Sequence, residues 1–182
     1  YGVVANCSLV VIAIFTGLAY GMQPIVARCH GAADAHGARK TLLYALATVV
    51  LISAAIYGAI FTWADSISSV FNSGCDVQLQ KIAVHGLKVY FFGTVFAGVN
   101  IVMAAYFTST EMVRPAHLVS VLRGVVLIVP LAVVMSLAWG MSGVWAAFPA
   151  AEIAVCVVGW CAYIRSSWGG CRRSHNGNES KA

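Results

Sequence analysis

Residues 124–151 read GVVLIVPLAVVMSLAWGMSGVWAAFPAA, without a single charged side chain. A helix that crosses a bilayer needs about 20 mostly apolar residues, so the stretch is longer than one such helix. Small and polar residues in its middle, at positions 139–143, are typical of a tight turn. The stretch therefore predicts a hairpin of two membrane-spanning helices, at about residues 116–138 and 144–164.

The rest of the chain has the same character. Hydrophobic residues make up 60% of the sequence and charged residues 9%, whereas soluble domains carry about 25% charged residues. A soluble protein with so few charges could not cover its surface, but a chain solvated by lipid needs no such cover. We therefore expect an all-α integral membrane protein with five transmembrane helices. The first three are predicted at about residues 3–29, 41–63 and 78–108.

The basic residues predict the orientation, because lysine and arginine concentrate on the cytoplasmic side of membrane proteins. Here they follow the first, third and fifth helices: Arg28, Arg39, Lys40, Arg114, Arg165, Arg172, Arg173 and Lys181. The N-terminus of this chain is therefore predicted outside and the C-terminus in the cytoplasm, as in a multi-pass protein of the plasma or inner membrane. Residues 166–182 are predicted to form a disordered cytoplasmic tail. The net charge of +5 is thus an orientation signal and not a sign of nucleic-acid binding.

The number of helices predicts a missing segment. With an outside N-terminus, one further helix that starts inside would complete a set of six. The chain also begins with Tyr1 and not with methionine. We therefore expect it to be a fragment of a larger product.

Glu152 lies near the middle of the fifth predicted helix. A carboxylate at the centre of a bilayer costs about 2.5–3.5 kcal/mol on insertion scales. A group that can switch between neutral and ionised forms is what proton coupling requires, so Glu152 is the candidate for cation coupling. The alternative is a protonated glutamate that only hydrogen-bonds a neighbouring helix.

Arg123 lies about two turns into the fourth predicted helix. At that depth the aliphatic part of its side chain can lie in the apolar region while the guanidinium reaches the interface. This favours a structural or lipid-contact role. An ion pair with Glu152 is the alternative, although the two depths differ by several residues.

Further polar or helix-breaking residues in the apolar runs are candidates for a substrate cavity or for gating. Asn100 and Gln23 can each bond across helices, worth about 0.6 kcal/mol on average. Prolines remove a backbone donor and allow kinks. With Arg123, the candidates are Gln23, Pro24, Asn100, Pro130 and Pro149.

Motifs of enzymes do not stand out in the sequence. It contains no nucleophile elbow, phosphate loop or pair of intramembrane carboxylates, and no Cys/His spacing for a metal. We therefore predict neither catalytic residues nor a metal site, and no enzyme activity.

Two stretches carry a family resemblance. The first is Gly17-Leu-Ala-Tyr-Gly-Met-Gln-Pro24 followed by Gly31. The second comprises Tyr106-Phe107, Arg114-Pro115-Ala116, Arg123-Gly124 and Gly140-Met-Ser-Gly-Val-Trp-Ala-Ala-Phe-Pro-Ala-Ala-Glu152. In order and spacing they resemble the C-terminal half of multidrug and toxic compound extrusion (MATE) transporters, over about residues 1–165.

The resemblance implies a twelve-helix exporter of two six-helix lobes, of which this chain would hold helices eight to twelve. Such proteins exchange H⁺ or Na⁺ for organic cations and other amphipathic compounds. The implied partners are the lipid bilayer, small organic cations or drugs, the preceding helix and the N-terminal lobe. No cofactor is implied beyond the coupling ion.

Two alternatives remain open. A lipid-linked oligosaccharide flippase of the same superfamily would carry more cationic residues in its cavity, where this chain offers Arg123. A truncated, non-transporting membrane remnant would account for the missing helix. Some MATE proteins also carry an acidic residue in the helix that corresponds to residues 82–108, which has none here. Cation coupling would then rest on Glu152 or on the missing lobe.

Overall fold

The computed structural model describes residues 2–71 and 77–179, and all regular structure in them is helical. Five segments are long and apolar enough to cross a membrane, which confirms the prediction of an all-α membrane protein with five transmembrane helices. We number these segments as spans one to five: Val4–Gly31, Ala35–Trp63, Gly86–Ser109, Val113–Gly140 and Gly143–Arg165. The helices are α1 Gly2–Gly31, α2 Ala35–Phe71, α3 Val77–Phe92, α4 Thr94–Ser109, α5 Val113–Val121 and α6 Ile128–Glu179, with a π-helical turn at Leu122–Val126. The element α6 includes the reversal at Gly140, so it contains the end of the fourth span and the whole of the fifth.

The third span is the centre of the bundle. The second of its two helices, α4, packs against α1, α2, α5 and α6. In the apolar 18-residue segment of each span, 56% of the third span is buried, whereas only 6% of the fourth span is buried. Apolar side chains such as Phe15, Val49 and Phe107 fill the core without measurable exposure. The fourth span therefore lies at the periphery of the described bundle.

Close packing of the third and fifth spans depends on two glycines seven residues apart. A Cβ added to Gly86 would lie 2.6 Å from the Trp145 ring, and one added to Gly93 would lie 2.9 Å from the Cα of Pro149. Small residues of this kind let helix backbones approach each other in membranes, where packing replaces the hydrophobic effect as the cause of association.

The helix predicted at about 78–108 is broken at Gly93 into α3 and α4. At the break the Gly93 amide donates to the carbonyl of Tyr90, three residues earlier. The Thr94 hydroxyl donates to the Phe91 carbonyl at 2.6 Å. The break coincides with the close approach of Pro149, which belongs to a different span.

The fourth span also departs from a plain α-helix. The Leu127 amide donates to the Leu122 carbonyl, five residues earlier, which closes the π-helical turn. Pro130 then lies in the first turn of α6, where a missing backbone donor leaves no bond broken. The π-helical turn thus lets the span continue past the proline.

The predicted hairpin at residues 139–143 is present. Gly140 has φ 57° and ψ −135°, in a region of positive φ that glycine adopts readily. A Cβ on Gly143 would overlap the Met135 carbonyl, so only glycine fits this close reversal.

Two boundaries differ from the sequence-based ones. The second helix begins at Ala35 and not near residue 41, because Asp34 accepts the Gly37 amide at 2.9 Å and so caps the helix. The last helix continues to Glu179, so the predicted disordered tail is helical backbone as far as that residue. Residues 166–179 contain no proline that would interrupt the hydrogen-bond ladder.

We expect Gly93→Ala to destabilise the protein by about 1–3 kcal/mol, the usual cost of overpacking, because its new methyl group would meet the backbone at Pro149. Gly17→Ala is the matched control, since no described side chain or neighbouring helix lies within 4 Å of its Cβ position. The measurement is the apparent melting temperature in detergent, followed by size-exclusion chromatography. Equal melting temperatures for the two variants would contradict the proposed packing.

Candidate functional site

Three polar side chains from three spans meet inside the bundle. Asn100 comes from the third span, Arg123 from the fourth and Glu152 from the fifth. Asn100 is 1% exposed, and the side chains of Arg123 and Glu152 are 26% and 3% exposed. The sequence analysis selected all three residues separately, and the structure brings them together.

Both carboxylate oxygens of Glu152 accept hydrogen bonds. The Nε of Arg123 donates to Oε1 at 2.9 Å, and the two side chains form an ion pair. The Nδ2 of Asn100 donates to Oε2 at 2.7 Å and to the backbone carbonyl of Glu152 at 2.9 Å. These distances are those of charge-assisted hydrogen bonds. The carboxylate is therefore satisfied as an anion within the membrane.

The register of the last two spans explains how Arg123 reaches Glu152. A Cβ on Gly159 would lie 3.6 Å from Val119, and Gly143 lies against Met135. In this antiparallel register, Arg123 lies level with a residue three positions from Glu152. The offset between Arg123 and Glu152 along the helix axis is therefore about 4.5 Å, at 1.5 Å per residue. A long arginine side chain covers that distance. The ion pair, which was the alternative interpretation of Arg123, is the arrangement in the structure.

The charges of this trio compensate each other. Arg123 compensates the charge of Glu152, so the trio is neutral as a whole. Removing one partner of a buried pair leaves an uncompensated charge and typically costs about 3–5 kcal/mol. Arg123 is the most exposed member of the trio.

Pro149 lies one turn before Glu152 and is buried. It contacts the break at Gly93, and the neighbouring Phe148 ring stacks on Tyr90 with centroids 4.2 Å apart. The trio and the broken helix therefore share one interface, between the third and fifth spans.

The other predicted candidates lie elsewhere. Gln23 is half-buried and Pro24 is exposed, both in α1, which continues through the proline. Pro130 is exposed on the fourth span, one turn beyond the π-helical turn. None of these three makes a hydrogen bond or ion pair with the trio.

Sequence reasoning missed two features of the bundle. Gly86, Gly93 and Asn100 recur every seven residues, a spacing that places them along one helix face and could have indicated the interface with the fifth span. Ser53 is fully buried, and its hydroxyl has no hydrogen-bond partner among the described residues. No sequence signal distinguishes Ser53 from other serines in the spans.

Comparisons with known proteins agree with this architecture. Two solved structures are similar: an inward-facing and an outward-facing conformation of a multidrug resistance MATE family transporter of the MOP superfamily. The TM-scores are 0.80 and 0.72 at 18% and 20% sequence identity, over 94% and 91% of this chain. The chain spans 38% and 37% of the length of these structures.

Curated proteins give no match to the sequence. A family model gives one, described as MatE, over residues 1–134. That range covers the first three spans and most of the fourth, including Asn100 and Arg123. The chain therefore belongs to the MatE family of membrane transporters.

Proposed function

We propose that this chain is part of a secondary active transporter that exports organic cations or drugs in exchange for H⁺ or Na⁺. It would form most of the C-terminal lobe, with its N-terminus outside and its C-terminus in the cytoplasm. The observation that carries the proposal is the buried carboxylate of Glu152, held by Arg123 and Asn100 in the interior of the bundle. Glu152 is also the only acidic residue within the five spans.

A coupling group must exist in two states, and this trio allows both. When Glu152 is ionised, Arg123 and Asn100 satisfy it. When a proton neutralises Glu152, Arg123 no longer gains from the pair and its charge favours the more exposed position. Asn100 can stay in place, because an amide both donates and accepts hydrogen bonds.

Sodium could replace Arg123 by the same logic. The carboxylate of Glu152 and the Asn100 amide oxygen are oxygen ligands of the kind that bind Na⁺ in transporters. In either case the cation competes with a guanidinium for one carboxylate, so cation entry and arginine release are linked.

The release of Arg123 would change helix packing. Arg123 lies in the π-helical turn of the sparsely buried fourth span. Turns of this type recur at functional sites. Loss of the ion pair would loosen the fourth span from the fifth, and Pro149 and Gly93 would pass a change in the fifth span to the broken third helix.

The flippase alternative depends on cationic side chains that face the cargo. A phosphate headgroup would be recognised by arginine, but the charge of Arg123 is already compensated by Glu152. This favours the cation exporter. An assay of lipid-linked headgroup flipping would separate the two functions, and the genomic sequence upstream of Tyr1 would identify a remnant by an immediate stop codon.

We expect Glu152→Gln in the full-length transporter to reduce ion-driven efflux at least tenfold, because glutamine cannot exchange a proton or hold a cation. The measurement is efflux of a cationic dye from vesicles under an imposed pH or Na⁺ gradient. Glu111→Gln is the matched control, since Glu111 is exposed in the turn between α4 and α5. If the Glu152 variant responded to both gradients like the wild type, Glu152 would have no coupling role.

A double-mutant cycle separates coupling from mere structural support. Arg123→Gln and Glu152→Gln should each lower the melting temperature, because each leaves one unpaired group inside the bundle. The double variant should recover stability, with an interaction energy of about 1–3 kcal/mol, but should stay uncoupled. Full recovery of ion-driven efflux in the stable double variant would show that the pair is structural only.

A further inference from the structure

An open-sided cavity of about 380 Å³ is lined by residues of the third and fifth spans. Among the described residues its walls are Val89 and Phe92 from one span and Ala146 and Pro149 from the other, with Lys88 as the one charged residue of this set. The volume is within the range of about 300–1,000 Å³ that is usual for small-molecule sites. Apart from Lys88, the walls offer only apolar side chains.

The charge and the apolar walls are ordered by depth. Lys88 lies four residues before Phe92 in α3, or about 6 Å nearer the end of the bundle at which α3 begins. Pro149 lies six residues after the reversal at Gly143, or about 9 Å along the fifth span. The cavity therefore has a cation toward one end of the bundle and apolar walls deeper within it. An amphiphile in a bilayer has the same order, with its charged group at the surface and its chain inside.

An aromatic ring holds the Lys88 side chain in place. The Lys88 ammonium lies 4.6 Å from the centroid of the Phe61 ring, which it contacts by a cation–π interaction. Among the described residues no carboxylate forms a salt bridge with it. A cation–π contact occupies one side of the ammonium, so donors remain for an anionic oxygen. The charge thus selects an anion and disfavours the organic cations of the proposed export function.

We propose that this cavity, lined by Lys88, Val89, Phe92, Ala146 and Pro149, binds a fatty acid from the bilayer, with the carboxylate on Lys88 and the alkyl chain between the third and fifth spans. The bound chain would contact Pro149 and Phe92 next to the Gly93 break. Lipid composition would therefore act on the same interface as the trio. The proposal concerns binding and does not depend on what the transporter exports.

The test is photolabelling of the purified full-length protein in detergent with a fatty acid that carries a diazirine near the end of its chain. The matched probe is the corresponding fatty alcohol, which lacks the charge. At about pH 8.5, well above the ordinary carboxyl pKa near 4, the acid probe is charged and the alcohol is not. We expect the acid to label peptides that contain Phe92 and Pro149 about tenfold more than the alcohol does.

Variants assign the labelling to Lys88. Lys88→Gln should lower labelling by the acid about tenfold, to the level of the alcohol, and Lys88→Arg should keep it. Lys40→Gln is the matched control, because Lys40 also lies over an aromatic ring, that of Tyr44, but outside the cavity. Ala146→Phe should fill the cavity and reduce labelling by both probes.

Three results would overturn the proposal: equal labelling by acid and alcohol in the wild type, full labelling in Lys88→Gln, or label spread evenly over the exposed fourth span. The labelling requires no ion gradient. Its failure would therefore leave the coupling role of Glu152 untouched, and a failure of coupling would leave this site untouched.

Discussion

The ion pair between Glu152 and Arg123 is the interaction on which the last three spans depend. A carboxylate among apolar helices needs a partner, and this one draws on the third and fourth spans at once. The fourth span offers little else, since it is scarcely buried. Lipid tails solvate its leucines and valines as well as protein does. A polar contact and a tight hairpin therefore hold this helix in the bundle, as a hydrophobic core would in a soluble protein.

The same helix face that bears Asn100 also provides the close packing. Gly86 and Gly93 let the fifth span approach, and Asn100 ends the series at Glu152. Packing and polar contact are therefore not independent. A change of charge at Glu152 alters the interface that the glycines make possible, and a shift at Gly93 alters the donors around Glu152.

Burial in lipid acts on each segment separately, and this explains which features the sequence predicted. The five spans, the hairpin at Gly140 and the unusual position of Glu152 depend on local composition alone. The ion pair with Arg123 depends on the register between two spans, which close contacts at Gly143 and Gly159 define. The break at Gly93 depends on Pro149, which is distant in sequence. The early start of α2 was predictable, because Asp34 is a local capping signal.

The tight turn at Gly140 also has a consequence for how the chain enters the membrane. Arg123 precedes Glu152 by 29 residues, so during synthesis the guanidinium emerges before its partner exists. An arginine within an apolar helix adds to the cost of inserting that helix alone, up to about 2.5–3.5 kcal/mol at its centre on insertion scales. With almost no loop between the fourth and fifth spans, the two helices can enter the bilayer as one hairpin. Entry as one hairpin would let Arg123 and Glu152 pair as they enter the bilayer.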